Sequence, residues 1–295
     1  MLNFREITLA DRETIHNHLY SAAGHGSEYS FANLLLWGEQ YVAVADGTPL
    51  FFSRFGSWNS YLFPLSGSLP EMVELLRSDA RQRGIPLVLF GLSAEDTARL
   101  EAVFPGQFTF RPERDSFDYV YDIERLTELR GKKLQAKRNH CNRFVADFSE
   151  WRVLPLTREL LPRCRAFTEA WYRSHYTHNQ DYSGERRAIS KAFEHFNELH
   201  MDGIVLETSE GVVGFSMGNR IHEDTFDVNF EKARADINGA YPMVNREFAR
   251  RIHEKYPQVR FLNREDDMGI AGLRQAKESY FPDLLLEKYI AEEKQ

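Results

Sequence analysis

The predicted secondary-structure elements of this 295-residue chain follow the same order twice, and that repetition constrains the fold more than any other feature. Each half starts with a strand and two helices, continues with three antiparallel strands, and then runs helix, strand, helix and closing strands. Hairpin turns are predicted at equivalent places, at Asp46-Gly47 and at Glu210-Gly211. Closing strands are predicted over Tyr119–Tyr121 and Leu284–Tyr289. Two unrelated halves that share an order by chance are the alternative.

This order of elements is the topology of GNAT acyltransferases. We therefore predict an α+β protein with two tandem GNAT-like domains, each a mixed, mostly antiparallel sheet flanked by helices. The N-terminal domain is predicted over residues 1–125 and the C-terminal domain over 126–295. The second of these begins with a basic linking helix over 129–147.

The composition is that of a globular protein with a large core, at 42% hydrophobic and 27% charged residues. The longest apolar runs, such as Phe31–Trp37, fall far short of the roughly 20 residues that a membrane-spanning helix needs. The first residues lack the basic-then-apolar order of a signal peptide. Cys141 and Cys164 form no metal-type pair, and we expect reduced thiols, no metal site and a cytoplasmic location.

The net charge of −7 argues against a general nucleic-acid binder, so DNA is not expected as a partner. One segment departs from this balance, because residues 130–143 contain six Lys or Arg residues and no acid. A basic helix in an acidic protein is a candidate contact for phosphates or a polyanion. Lys133, Lys137 and Arg138 are the residues that we expect to make that contact. A solvated face that joins the domains is the alternative.

A GNAT sheet opens between its fourth and fifth strands, and the following helix points its N-terminus at the gap, where it favours a phosphate. In the second half, the segment Arg234–Ala240 leads into a helix at Tyr241-Pro242. The equivalent segment of the first half, residues 64–70, has no basic residue. We therefore expect the working cleft in the second half, with these donor-binding residues: Arg234, Asn238, Gly239 and Tyr241.

Alternation along the strand at Thr225–Glu231 predicts that Asp227, Asn229 and Glu231 lie on the face opposite the phenylalanines. Glu231 stands near the end of this strand, where a general base could take a proton from an amine. Lys232, Asp227 and Asn229 are predicted to bind substrate. The alternative for Glu231 is an ion pair with Lys232 or Arg234.

The densest polar run, Asn263 to Asp267, directly follows a buried-type strand. Side chains at the carboxyl end of such a strand commonly face a ligand crevice. We predict Glu265 and Asp266 as catalytic residues and expect one of them to anchor a cationic amine. Arg264 would be oriented by them, and Arg264 and Asn263 are predicted to bind substrate. The alternative is an acidic first turn of the next helix, which the helix dipole favours.

The helix after this run places three polar side chains on one face, Arg274, Lys277 and Tyr280, at i, i+3 and i+6. Arg274 and Lys277 are predicted to bind substrate, and Tyr280 to protonate a leaving group. Packing is an equal alternative for Tyr280. The aromatic run Trp171–Tyr176 is interpreted as core, with a pocket wall as the alternative.

Five blocks together resemble the soluble bacterial proteins that share the phosphatidylglycerol lysyltransferase C-terminal domain, and the resemblance covers nearly the whole chain. The blocks are Tyr29–Leu34 with Trp37, Leu129–Asn139, Glu231–Ala233, Ile237–Tyr241 and Asn263–Pro282. The resemblance implies two tandem GNAT domains and kinship with Fem-type transferases. Those relatives take an amino acid from an aminoacyl-tRNA and place it on a lipid or a cell-wall peptide.

By this resemblance, the basic helix would meet tRNA phosphates, and the cleft residues would be Glu231, Arg264, Glu265, Asp266 and Lys277. The chain departs from the GNAT phosphate loop, because Ile237 stands where the first glycine would be and only Gly239 matches. By the same resemblance, we expect this protein to differ from the lipid-modifying enzymes in having no membrane-embedded half. The departure at Ile237 favours an aminoacyl-tRNA donor over acyl-coenzyme A, and no cofactor is assigned.

Three functions remain open. The first is an acyl- or aminoacyltransferase that delivers to an amine or hydroxyl of a small molecule, lipid or peptide. The second is an acetyl-coenzyme A-dependent N-acetyltransferase. The third is a non-catalytic protein that binds a small molecule or regulates a partner.

Overall fold

The computed structural model describes residues 2–22, 26–174 and 182–294. The elements up to the first closing strand are β1 Arg5–Glu6, α1 Arg12–Ala22, α2 Phe31–Leu36, β2 Glu39–Ala45, β3 Thr48–Phe55, β4 Trp58–Leu62, α3 Leu69–Arg83, β5 Val88–Leu92, α4 Ala94–Val103, β6 Phe108–Pro112 and β7 Asp118–Asp122. The remaining elements are α5 Ile123–Glu128, α6 Gln135–Asp147, β8 Arg152–Pro155, α7 Leu161–Ser174, α8 Ser183–Glu194, β9 Asp202–Thr208, β10 Gly211–Arg220, β11 Thr225–Ala233, α9 Ala240–Lys255, β12 Phe261–Asn263, α10 Ala271–Glu278, β13 Leu284–Leu286 and β14 Tyr289–Glu293.

The strands form two seven-stranded sheets, and both are mixed. The first has the order β1-β2-β3-β4-β5-β14-β6 and the second has the order β13-β7-β12-β11-β10-β9-β8. One parallel pair occurs in each, β4 with β5 and β11 with β12. The prediction of an α+β protein with two mixed, mostly antiparallel sheets flanked by helices is confirmed. Within the described ranges, the helices are all too short or too polar to cross a bilayer.

The closing strands lie in different sheets from those predicted. β7, predicted to close the first half, lies in the second sheet between β12 and β13. The strand predicted over Leu284–Tyr289 is two strands, and the later one, β14, lies in the first sheet between β5 and β6. An alternating apolar pattern indicates a strand with a buried face, but both sheets offer such a face, so the pattern does not select between them.

The chain divides into two compact units, and the division reflects the placement of β7 in the second sheet and β14 in the first. The first contains Met1–Asp118, Asp266–Ala271 and Leu285–Gln295, and the second contains Tyr119–Glu265 and Gly272–Leu284. The domain boundary predicted after residue 125 stays a prediction.

Each unit has its own aromatic-rich core. Phe52, Tyr61 and Phe63 centre the first one. In the second, Phe226 of β11 packs on Phe248 of α9 with ring centroids 5.8 Å apart. The basic helix α6 belongs to this second core, because its Cys141 and Phe144 are fully buried there. Burial raises the pKa of the Cys141 thiol to about 11, so the thiol stays protonated at neutral pH.

Buried charges in the first unit hold the segment that leads into β14. Lys288 Nζ lies 2.7 Å from Asp118 Oδ1 and 2.5 Å from Glu28 Oε2. The backbone N–H of Ser27 donates to Asp118 Oδ2 at 2.7 Å. Burial favours the neutral amine of Lys288, but the charges of Asp118 and Glu28 outweigh burial, and the pKa of Lys288 is raised. Two buried carboxylates thus share one buried ammonium.

Both sheets open beyond their parallel pair. β11 pairs with β12 only from Thr225 to Asp227, although β11 continues to Ala233. In the first sheet, the side chain of Tyr29 occupies the equivalent opening, because its hydroxyl donates to the carbonyl oxygens of Phe63 at 3.3 Å and Gly91 at 3.1 Å. At the opening in the second sheet, charged side chains from β11 and from the segment after β12 meet instead.

A bulge between β10 and β11 sets which side chains reach this opening. The register shifts between Met217 and Asn219, so β11 has one extra residue opposite Gly218. Side chains after the bulge change faces. Glu231 therefore lies on the α9 side with Phe226, where it bonds to Asn245 of α9. The prediction that Glu231 shares a face with Asp227 and Asn229 is wrong, because strict alternation holds only without a bulge.

We expect Gly218→Ala to destabilise the protein by about 2 to 3 kcal/mol, because overpacking forces the backbone to move. A Cβ at this position would lie 1.8 Å from the carbonyl oxygen of Asp227. Urea denaturation measures the loss. Gly184→Ala is the control, since a Cβ there meets nothing within 4 Å, and its stability should be unchanged or slightly higher. Equal stabilities for the two variants would contradict the close approach at the bulge.

Candidate active site

An ion pair spans the opening of the second sheet. Glu231 stands on β11 beyond the parallel pair, Arg264 directly follows β12, and their Oε1 and Nη2 atoms are 2.9 Å apart. Both side chains are only 11% exposed. Glu231 therefore pairs with Arg264, and the alternative of a pair with Lys232 or Arg234 is wrong.

The turn after β12 aims the Arg264 side chain at this opening. The backbone N–H of Arg264 donates to the carbonyl of Tyr119 at 2.9 Å, and Asn263 Oδ1 accepts from the N–H of Glu265 at 2.7 Å. Glu265 has φ of 55°, a left-handed conformation that non-glycine residues adopt rarely. Such local strain persists where the surrounding structure enforces it, which occurs most often at functional sites.

Aromatic rings and a lysine line the opening. The Arg264 guanidinium lies 4.9 Å from the ring centroid of Tyr280 and 5.7 Å from that of Tyr121. Lys137 Nζ, from α6, lies 4.2 Å from the Tyr280 ring. Burial and the nearby Arg264 charge lower the pKa of Lys137. Burial raises the pKa of the Tyr280 phenol, so Tyr280 is a weak acid here and contributes its ring face.

Three buried polar atoms around Glu231 have no hydrogen-bond partner in the described part of the chain: Arg264 Nη1, Asn245 Oδ1 and Ser216 Oγ. Asn245 Nδ2 donates to Glu231 Oε2 at 3.3 Å, and Ser216 is the cross-strand neighbour of Glu231. A buried polar atom without a partner costs about 1–3 kcal/mol, so a water or a polar ligand that bonds to these three atoms would be stabilised here. The set offers a donor, an acceptor and a hydroxyl to a polar ligand.

Lys277, predicted to bind substrate, holds the backbone of the site. Its Nζ donates to the carbonyl oxygen of Arg264, and Tyr121 Oη donates to the carbonyl of Lys277 at 2.8 Å. Arg274 is half-buried on the same helix, α10.

Three predicted residues form a separate cluster. Asn229 Nδ2 donates to Asp227 Oδ2 at 3.0 Å and to Glu265 Oε1 at 3.3 Å. Asp266 belongs to the first compact unit, where its charge contributes to the raised pKa of Lys288. The structure therefore separates Glu265 from Asp266, although they are adjacent in sequence.

Lys232 points away from Glu231, toward α7 and α8. Its Nζ lies 2.7 Å from Glu185 Oε1 and 3.7 Å from the ring centroid of Trp171. Burial lowers the pKa of this amine.

Residues 175 and 176 of the aromatic run lie outside the described residues. Trp171 Nε1 donates to Tyr241 Oη at 3.0 Å, which places Tyr241 in this aromatic group.

The remaining residues predicted to bind a donor phosphate are engaged elsewhere. Arg234 pairs with Asp236 at 2.6 Å and with Glu210 at 3.2 Å. Asn238 Oδ1 lies 2.8 Å from His140 Nδ1 of α6. A Cβ on Gly239 would lie 2.3 Å from the His140 carbonyl oxygen. Gly239 thus permits close packing of α6 on the start of α9, and α6 covers that start.

The covered helix start also offers few free N–H groups. The N–H of Ala240 donates to the carbonyl oxygen of Ile237, and the N–H of Met243 donates to the carbonyl oxygen of Gly239. Pro242 has no N–H. Within residues 240–243 of the described chain, only Tyr241 keeps an N–H outside these bonds. Phosphate binding at a helix start depends on several such groups.

The basic residues of the linking segment divide into two roles. Arg138 Nη1 donates to the carbonyls of Leu129 and Gly131, so it caps the end of α5. Lys133 Nζ lies 5.3 Å from the ring centroid of the exposed Phe281. Among the described basic residues of this segment, Lys133 and Lys137 are the two that lie against an aromatic ring, Phe281 and Tyr280 respectively.

Sequence reasoning missed Asn245, Ser216 and Tyr121. Asn245 carried a usable indication, because it lies four residues after Tyr241 and three before Phe248, on the apolar side of a helix. Ser216 and Tyr121 gave none, since a small hydroxyl and a tyrosine are ordinary strand residues. The described residues contain no group of three or more His, Cys, Asp or Glu side chains that could hold a metal.

The two mixed sheets, each opening beyond one parallel pair, define the tandem GNAT-like class of folds. The crystal structure of FemX shares this fold with a TM-score of 0.59 at 10% identity, covering 98% of this chain and 96% of that one. The chain belongs to the family described as phosphatidylglycerol lysyltransferase, C-terminal, whose model matches residues 21–292.

Two further structures are similar over nearly the whole chain. A conserved protein of unknown function from Bacteroides thetaiotaomicron is 36% identical, with a TM-score of 0.93 and complete coverage of both chains. L-PGS from Bacillus licheniformis is 20% identical, with a TM-score of 0.66, over 97% of this chain and 92% of that one. An uncharacterised protein of Mycoplasmoides gallisepticum is 24% identical over 180 residues, which are 59% of this chain and 56% of that protein.

Proposed function

We propose that this protein transfers an activated acyl or aminoacyl group to an amine or hydroxyl of a small-molecule, lipid or peptide acceptor, with an aminoacyl-tRNA as donor. The observation that carries the proposal is the Glu231–Arg264 pair across the open sheet, surrounded by three buried polar atoms without partners in the described chain. Membership of a family described by a lysyltransferase domain supports the same class of chemistry.

The site residues divide the steps of such a transfer. The acceptor N–H or O–H gives its proton to the Glu231 carboxylate while its nitrogen or oxygen attacks the carbonyl carbon of the ester. Arg264 Nη1 donates to the carbonyl oxygen as negative charge develops there. The ester C–O bond breaks, and the Lys137 ammonium gives a proton to the leaving oxygen. A proton then returns from Glu231 to Lys137 through solvent.

An aminoacyl ester suits this site better than acyl-coenzyme A. An ester of this kind is already reactive, so positioning and proton transfer supply much of the rate. The pyrophosphate of coenzyme A would require the start of α9, which α6 covers. It would also require Arg234, whose charge two carboxylates already neutralise.

The test mixes the protein with aminoacyl-tRNAs that carry radiolabelled amino acids and with a panel of amine, lipid and peptide acceptors. We expect label to appear on one acceptor class, faster than spontaneous deacylation. Acetyl-coenzyme A at millimolar concentration should give no thermal shift. Transfer from acetyl-coenzyme A alone would overturn the choice of donor, and a ligand bound without any turnover would favour a regulatory protein.

We expect Lys137→Met to slow transfer by about 100-fold, because general acid catalysis contributes at least that much. In the wild type, the rate should fall at alkaline pH as the lowered pKa of Lys137 is passed, below the value of an ordinary lysine. Rate against pH measures both effects. Lys132→Met, which removes an exposed lysine from the same segment, is the control. A Lys137→Met variant with the wild-type profile would contradict the acid role.

A further inference from the structure

An exposed aromatic ring directly follows Tyr280, whose ring lines the proposed site. Phe281 is 39% exposed, whereas its neighbour Tyr280 is 4% exposed and lies under the Arg264 guanidinium. Lys133 lies 5.3 Å from the Phe281 ring, and Lys137, one helical turn later, lies 4.2 Å from the Tyr280 ring. Two lysine–aromatic pairs therefore lead from the surface toward the Glu231–Arg264 pair.

The Phe281 backbone is held in a strained conformation. Its φ is 54°, in the left-handed region that a bulky residue rarely adopts. Its carbonyl accepts from Arg125 Nη2, and its N–H donates to Glu278 at 2.8 Å. Arg125 also pairs with Asp283 at 2.7 Å. A turn that is fixed in this way presents the ring at a constant position, although hydrophobic burial would favour an inward ring.

We infer that Lys133 and Phe281 bind one nucleotide of a single-stranded nucleic acid end, with the base stacked on the ring and the phosphate on the lysine. This inference rests on the proposed function and extends it, because it identifies how the 3′ end of the donor would be held. Base–aromatic stacking tolerates any base, and lysines beside it bind the backbone. The pair places one positive charge beside one exposed aromatic face, which are the two contacts that a single nucleotide needs.

The probe is the labelled trinucleotide CCA, the single-stranded end that tRNAs share. We expect Phe281→Ala to weaken its binding by about 5- to 150-fold, the loss of one stacked base. Phe281→Trp should bind at least as tightly as the wild type. Lys133→Ala should reduce the slope of log affinity against log salt by about 0.7, the value for one phosphate contact on a single strand.

Phe55→Ala is the matched control, because Phe55 is 41% exposed on β3 of the first unit. Its affinity for CCA should equal that of the wild type. Equal CCA affinities for Phe281→Ala and wild type would overturn the inference. A Phe281→Ala variant that binds CCA normally but no longer binds anionic phospholipid vesicles would also overturn the inference, and it would indicate a lipid-binding surface.

The inference and the proposed function can fail separately. If transfer persists and CCA binding ignores Phe281, the transferase proposal stands and the stacking site is wrong. If CCA binding depends on Phe281 but no transfer is detected with any acceptor, the stacking site stands and the transferase proposal is wrong.

Discussion

Glu231→Gln is expected to slow group transfer by about 100- to 10,000-fold, because a glutamine of the same shape accepts no proton from the acceptor. The substitution keeps a hydrogen-bond acceptor beside Arg264, so the effect should lie mainly in kcat and not in KM. Single-turnover transfer from aminoacyl-tRNA measures the chemical step. Urea denaturation of the same preparation reports whether the fold persists.

Glu128→Gln is the control, since Glu128 pairs with Arg130 on the surface of the same unit and its side chain is 52% exposed. Its transfer rate should match that of the wild type. A companion variant, Arg264→Lys, keeps the positive charge and loses the planar donor arrangement, and it should lose about 100- to 1,000-fold in kcat. Full activity in Glu231→Gln would remove the base from the mechanism, and full activity in Arg264→Lys would remove the oxyanion donor.

Lys288→Met is expected to destabilise the protein by about 3–5 kcal/mol, the usual effect of removing one partner from a buried ion pair. The variant leaves Glu28 and Asp118 buried without their shared ammonium. The free energy of unfolding in urea at neutral pH measures the loss.

Lys294→Met, near the same end of the chain, removes an exposed lysine and should change stability by less than about 0.5 kcal/mol. The stabilisation that Lys288 contributes depends on pH, because the pKa of Lys288 is raised in the folded protein. This stabilisation is complete below the unfolded-state pKa of about 10.4 and is lost as the pH rises from that value through the higher folded-state pKa. A Lys288→Met variant as stable as the wild type would show that the buried carboxylates are accommodated without this lysine.

The fold was largely predictable because its elements repeat. Both hairpins and the helix before each fifth strand follow from turn residues and apolar period. The assignment of β7 and β14 to sheets was not predictable. Pairing between distant strands depends on which partner edge is open, and residues 119–121 and 284–289 carry the same alternating pattern.

The site was predictable in part. Glu231 and Arg264 follow from their places at strand ends, and the structure brings them together. Their neighbours do not follow, because a bulge reverses the face of Glu231 relative to Asp227. Gly239 indicated close approach of a ligand, whereas the neighbour that approaches is the α6 backbone.

The place of β14 in the first sheet has a consequence for biosynthesis. β14 pairs with β5 and with β6, which leave the ribosome far earlier. Until residues 289–293 emerge, two strands of the amino-terminal sheet keep unpaired edges, which are sites of aggregation in nascent chains. The first sheet should therefore reach its native form only after β14 has emerged, and ribosome-stalled chains that stop before β14 should depend on chaperones to stay in solution.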